Sequence, residues 1–219
     1  MSSRKKLTKN PSKQISSYLI TAGLILLAAS LLLFSAIFQP VILAELSYIF
    51  NRPDPQAKVA LKKLDNKTIV PVNKQFGIVI PRIKANARIV ANVNPFDEHA
   101  YQVALTKGVA HARGTVYPGH IGNIFLFSHS SVNFYEANRY NSVFYLLNKL
   151  QKNDPVYLFY QGAEFKYKVV ETKIVEANQV QYLSSINDDK TLTLMTCWPA
   201  GTTLKRLVVI AKIASLDKK

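Results

Sequence analysis

Apolar positions follow two different patterns along this chain. From Tyr18 to Phe38 they run unbroken, 21 residues without a charge and rich in Leu, Ile and Ala. About 20 such residues cross a bilayer as a helix. From Phe76 onward the runs are short and many alternate with polar residues, the two-residue period of half-buried strands. Phe76–Pro81 and Ala87–Val93 read as strands, Asn94–Glu98 as a turn, and His99–Leu105 as a short helix. Gly108–Gly122 is punctuated like a loop by Gly-Thr and Tyr-Pro-Gly. Asn123–Ser128 is a nearly all-apolar strand that ends on His129, and Phe134–Leu150 reads as helix, closed by Asp154-Pro155. Val156–Tyr160 and Phe165–Glu171, joined at Gln161-Gly162, form a hairpin. Tyr182–Asp189 leads to two closing strands between Thr191 and Ala211. Many short strands, few helices and no βαβ rhythm predict an all-β domain, most simply a closed barrel.

In the first closing strand, Leu192, Leu194 and Thr196 share one face and Thr193, Met195 and Cys197 the other. Pro199 and Gly201 reverse the chain. If the two strands pair, Arg206 returns beside Cys197.

Residues 39–75 form a stalk in this reading. Asn51-Arg-Pro-Asp-Pro55 breaks any helix leaving the apolar run. Ala57, Ala60, Leu61 and Leu64 are then spaced for a short amphipathic helix. The organisation expected is a basic cytoplasmic tail (1–17), a membrane anchor (18–38), the stalk (39–75) and a β-barrel domain (76–219).

Charge supports that order. The chain has a formal net charge of +15, and residues 1–17 hold Arg4, Lys5, Lys6, Lys9 and Lys13 without an acid. Bases ahead of an apolar span keep that end in the cytoplasm, which puts everything after Phe38 outside. No small-x-small cleavage site follows the run, so the anchor reads as uncleaved. The remaining bases are scattered, with no basic helix, RNA-binding signature or zinc-finger spacing. An anionic wall or membrane surface explains them better than nucleic acid does.

The one cysteine cannot form an internal disulfide, and a free thiol outside the cytoplasm suggests use. A Cys and a His at two strand ends are the minimum for thiolate acyl transfer, with His moving protons and Cys attacking a carbonyl. Arg206 adds a fixed cation, which favours the thiolate and can meet a developing oxyanion. His111, His120 and His129 recur every nine residues, but structural zinc sites cluster their ligands two to five apart. Neither a metal nor a cofactor is expected.

Residues from about 76 to 213 resemble the sortases, membrane-anchored cysteine transpeptidases of bacterial surfaces. The resemblance runs in order through Phe76–Pro81, Lys107–Gly119, Gly122–Ser130, Phe144–Leu150, Asp154–Val156 and Phe165–Val169. It ends on Thr191-Leu-Thr-Leu-Met-Thr-Cys197 with Arg206, similar to that family's Thr-Leu-x-Thr-Cys…Arg signature. It implies an eight-stranded barrel with Cys197 as nucleophile, His129 as general acid and base, and Arg206 holding the carbonyl and oxyanion. It also implies cleavage of a sorting signal, often Leu-Pro-any-Thr-Gly. The acyl group would pass to an amine on a peptidoglycan precursor or a pilin.

Thr196, Ser128 and Trp198 are the expected substrate-side residues. Ser128 stands where many members carry Gly, and Trp198 follows the cysteine. The chain ends Leu216-Asp-Lys-Lys219 without an apolar run, unlike many pilin-polymerising members. An L,D-transpeptidase would fit a wall-side Cys and His, but its Ser-His-Gly-Cys run is not in the sequence. A non-enzymatic, membrane-tethered wall-binding barrel is the alternative of a different class. It would leave Cys197, His129 and Arg206 without a shared purpose.

Overall fold

The computed structural model describes residues 11–50, 69–130, 143–179 and 189–214. The expected amphipathic helix at 57–64 lies outside them, as does most of the Tyr182–Asp189 connection.

The chain divides into two units, Met1–Ser47 and Tyr48–Lys219. Helix α1 (Pro11–Phe50, 40 residues) carries the apolar run. Its window Tyr18–Ser35 has a mean hydropathy of 2.2 with none of it buried, long and apolar enough to cross a membrane. The helix runs past the expected end at Phe38 and through Pro40, stopping at Phe50, just before Asn51-Arg-Pro-Asp-Pro55.

Among the described residues of the second unit, eight strands close into a barrel. They are β1 (Phe76–Ile80), β2 (Ala85–Val93), β3 (Val109–Ala112), β4 (Gly122–Phe127), β5 (Pro155–Tyr160), β6 (Ala163–Glu176), β7 (Lys190–Trp198) and β8 (Lys205–Ile213). Their order around the barrel is β1-β2-β3-β4-β7-β8-β6-β5, with β5 pairing back onto β1. Alternation sorts the side chains. Ile78, Ile80, Ile124, Leu126, Leu158, Leu192, Leu194 and Val209 meet in the larger core.

Two pairings are parallel, β2 with β3 and β4 with β7. Parallel neighbours need a crossover, which in α/β units is usually a helix lying on the sheet. Helix α2 (Glu98–Leu105) provides it between β2 and β3, with the Asp97 carboxylate capping it by accepting from the Ala100 N–H at 3.0 Å. Ala104 and Leu105 of α2 join Val93, Phe125 and Phe127 in a second, smaller core. β4 thus has two buried faces, with Ile124 and Leu126 on one and Phe125 and Phe127 on the other. That double burial explains its almost continuous apolar run.

Three readings from sequence change. The Gly108–Gly122 loop contains β3, whose four residues are all buried. Val-Ala-His-Ala is too short and too small-sided to signal a strand, and pairing with β2 and β4 makes it one. In the expected helix Phe134–Leu150, residues 134–142 fall outside the described set. The remainder is turn and 3₁₀ helix (Leu147–Lys149). Its bonds run from the Leu147 N–H to the Phe144 carbonyl and from the Leu150 N–H to the Leu147 carbonyl. Phe144, Leu147 and Leu150 lie three apart and all are buried, a spacing that a three-residue turn stacks on one side. Finally, β6 runs on to Glu176, bulging between Val169 and Glu171.

Candidate active site

β4 and β7 run in parallel register, with Leu126 beside Leu194 and Phe127 beside Met195. Two residues further along each strand come His129 and Cys197. The register is held past the end of the β4 ladder by the Ser128 N–H, which donates to the Met195 carbonyl at 3.2 Å. The Thr196 hydroxyl, on a residue only 3% exposed, donates back to the Ser128 carbonyl at 2.8 Å. On the other side β7 and β8 are antiparallel, and the partner of Cys197 is Arg206. Directly opposed residues on an antiparallel pair share a face. His129, Cys197 and Arg206 therefore stand in one row across three adjacent chain segments, each half-buried.

The row opens into a groove of about 360 Å³ on the α2 side of the barrel wall. Ser128, His129, Thr196, Cys197 and Arg206 line it. Trp198 packs instead against the larger core. The two-residue period explains this, because Cys197 faces outward with Met195 while its neighbour Trp198 faces the other way.

Arg206 is held from one end. Its Nη1 donates to the Thr203 carbonyl, in the turn between β7 and β8, at 2.9 Å and to the Lys205 carbonyl, at the start of β8, at 3.0 Å. Among the described residues no carboxylate pairs with it, and the residue lines the groove with Nε and Nη2 left as donors. The guanidinium is anchored yet retains its charge and part of its fork.

The opposite wall was not singled out from sequence. Phe96, Tyr101, Gln102 and Leu105, from α2 and the segment before it, line the groove with Phe127 and Met195. Phe96 is 76% exposed, a large apolar ring at the mouth. Tyr101 and Leu105 are spaced i, i+4, so one face of α2 was readable from the sequence, but not which surface that face covers. Burial raises the Tyr101 phenol pKa, and the Glu98 and Cys197 charges push it the same way; Arg206 and Gln102 pull it back.

The structure separates the other histidines from this row. His111 is on β3, 1% exposed, and does not line the groove. Its ring lies 5.5 Å from Phe76 and 4.7 Å from Tyr117. Nδ1 accepts from the Asn92 N–H at 3.4 Å, and Nε2 lies 3.1 Å from the Val116 carbonyl. That is the pattern of a neutral imidazole. Burial lowers its pKa, against a smaller opposing effect of the Val116 bond. His99 and His120 are exposed.

A thiol, an imidazole and an anchored guanidinium thus stand in one row on the wall of a closed barrel. The sortase domain family matches residues 78–214, more than half of the chain, and the chain belongs to the sortase family. Sortase D of Bacillus subtilis (strain 168) is 30% identical over 136 residues, 61% of this chain and 60% of that protein. The chain thus aligns with less than two thirds of that relative's length. Sortase C-1 from Actinomyces oris superposes with a TM-score of 0.55 at 26% identity, over 73% of this chain and 82% of that one. Sortase C1 of GBS pilus island 1 gives a TM-score of 0.56 at 26% identity, over 72% of each chain. A lid mutant of sortase A from Corynebacterium diphtheriae, at 24% identity, shares the fold with a TM-score of 0.55 over 72% of this chain and 78% of that one.

Proposed function

We propose that this chain is a membrane-anchored cysteine transpeptidase that cleaves a sorting signal of the Leu-Pro-any-Thr-Gly kind and transfers the acyl group to an amine. The observation that carries the reading is the row His129–Cys197–Arg206, built by the β4/β7 and β7/β8 registers. The Cys197 thiolate attacks the carbonyl carbon of the donor's Thr, forming a C–S bond. Negative charge gathers on the carbonyl oxygen, where Nε and Nη2 of Arg206 can donate to it. His129, as imidazolium, gives its proton to the departing amine as the C–N bond breaks, leaving a thioester. An acceptor amine then attacks the thioester, its proton passes to His129, and the thiolate leaves as the new amide forms. The donors are surface proteins bearing the signal, and the acceptor is an amine of a peptidoglycan precursor or a pilin.

Thr196 holds the His129-bearing segment against β7, and Ser128 supplies the carbonyl it grips. Trp198 contributes from the core side, stiffening the end of β7. Helix α1 anchors the enzyme with its basic end inside and the barrel outside. Protease added to intact spheroplasts should digest the barrel, and full protection would reverse that topology.

The test of the reaction is a trapped intermediate. Incubated with a sorting peptide, the chain should form a thioester that hydroxylamine releases as a hydroxamate. Cys197→Ala should form no adduct while melting at the wild-type temperature. An active Cys197→Ala variant would exclude the mechanism.

A further inference from the structure

The two walls of the groove are chemically unlike. The strand wall carries the polar groups that the proposed reaction uses. The α2 wall is Phe96, Leu105 and the ring of Tyr101, with Gln102 and the Tyr101 hydroxyl as its polar groups. A peptide seated on Cys197 has to pass between the walls as an extended chain. Its backbone carbonyls alternate in direction, so at least one on the side away from β7 turns toward α2 and loses its water. An unpaired carbonyl against such a wall is costly, whereas a phenol placed to donate removes that cost.

Tyr101 is already in place for this. Its ring meets Phe127 edge-on, centroids 6.3 Å apart at 79°, and packs against the smaller core. The side chain therefore does not have to be ordered when a peptide arrives, which lowers the cost of binding. Tyr101 lines the same groove as Cys197 and Arg206, from the helix rather than from the strands. Burial together with the Glu98 and Cys197 charges keeps the phenol protonated, so at neutral pH it is a donor.

We propose that Tyr101 is a substrate-binding residue of this site, its ring forming part of the apolar wall and its O–H donating to a backbone carbonyl of the donor peptide, so that the peptide is held between α2 and the Cys197–Arg206 row. The inference rests on the transpeptidase reading above. It adds a specificity-determining contact from the crossover helix to the groups supplied by the strands.

The experiment uses the full-length chain in detergent micelles and whichever fluorogenic Leu-Pro-any-Thr-Gly peptide the wild type turns over fastest. Tyr101→Phe keeps the ring and its contact with Phe127 and removes only the hydroxyl. A contact made equally in the ground and transition states appears in KM rather than kcat. The expected result is a rise in KM of about five- to fiftyfold, with kcat within about twofold. The melting temperature and the rate at which iodoacetamide alkylates Cys197 should stay at wild-type values. Tyr157→Phe, on β5 beneath the Lys166 ammonium, is the control and should behave as wild type. An unchanged KM for Tyr101→Phe overturns the inference. So does a loss confined to kcat, which marks a contact made only in the transition state, or one accompanied by a lower melting temperature or slower alkylation, which marks a structural role. A wild-type chain that cleaves no peptide of the set refutes the transpeptidase reading, and this contact with it. Wild-type turnover with an unaffected Tyr101→Phe refutes this contact alone.

Discussion

Arg206→Lys separates geometry from charge. The guanidinium spends Nη1 on the Thr203 and Lys205 carbonyls, at 2.9 and 3.0 Å, and has Nε and Nη2 left as donors. Lysine offers a single nitrogen on a flexible stem. It can satisfy those carbonyls or reach the substrate oxygen, but it cannot hold a rigid fork between them. Removing one preorganised oxyanion donor costs about a hundred- to a thousandfold in rate, roughly 2.7–4 kcal/mol. Lysine retains the charge, so the expected loss in kcat for Arg206→Lys is about ten- to a hundredfold, and for Arg206→Ala about a hundred- to a thousandfold. Stability should change little, because Thr203 and Lys205 are exposed and water can replace the lost donor. Lys205→Ala is the control. Its ion pair with Glu176 is 3.1 Å long, but the side chains are 49% and 61% exposed. Such a pair is worth about 1 kcal/mol at most. The assay is turnover of a fluorogenic sorting peptide by full-length protein, with melting curves for each variant. Near-normal turnover by Arg206→Lys would remove Arg206 from the oxyanion role and leave it a source of charge alone.

Three further outcomes follow from the same geometry. Thr196→Val keeps the shape but leaves the Ser128 carbonyl without its 2.8 Å donor, at a cost of roughly 1–2 kcal/mol. Melting should fall by about 2–6 °C and turnover should drop with it; a melting temperature within about 1 °C of wild type would mean that this bond does not hold the segment. His129→Ala should abolish turnover with a native melting curve, whereas His99→Ala and His120→Ala should be silent; loss of turnover in either of those would displace His129 from its role. His111, whose pKa burial lowers in the native state, binds its proton more readily when the chain is unfolded. Its contribution to stability is therefore complete above its ordinary value of about 6.5 and is lost as pH falls below it toward the lower native value. The melting temperature should fall between pH 7.5 and 5.5, and less steeply in His111→Gln; equal slopes would show that His111 does not titrate on unfolding.

Much of this molecule was legible in local pattern. The apolar run of α1, the strands β1, β2, β4, β5 and the closing pair, and the short helix α2 all showed in residue periodicity, because side-chain alternation and uninterrupted apolar length are local properties. The facing of Cys197 and Arg206 could also be anticipated, since a turn after Pro199 folds one alternating strand back on the other. What could not be read was anything set by distant partners. β3 is a strand because β2 and β4 flank it, and residues 143–150 wind as a 3₁₀ turn because the core takes up every third side chain.

The site divides in the same way. Sequence singled out Cys197, His129 and Arg206 as candidates by their chemistry, and it placed Trp198 on the substrate side because it follows the cysteine. Tertiary structure decided otherwise for Trp198, since neighbours on a strand face opposite sides. It also decided that His129 and Cys197 emerge together, because a parallel β4/β7 register aligns residues 68 apart. The α2 wall, and Tyr101 with it, depended on a parallel β2/β3 pair that requires a helical crossover over that face of the barrel. Residue chemistry is carried in the chain itself, whereas the coincidence of groups in space comes from pairings between segments that no local pattern encodes.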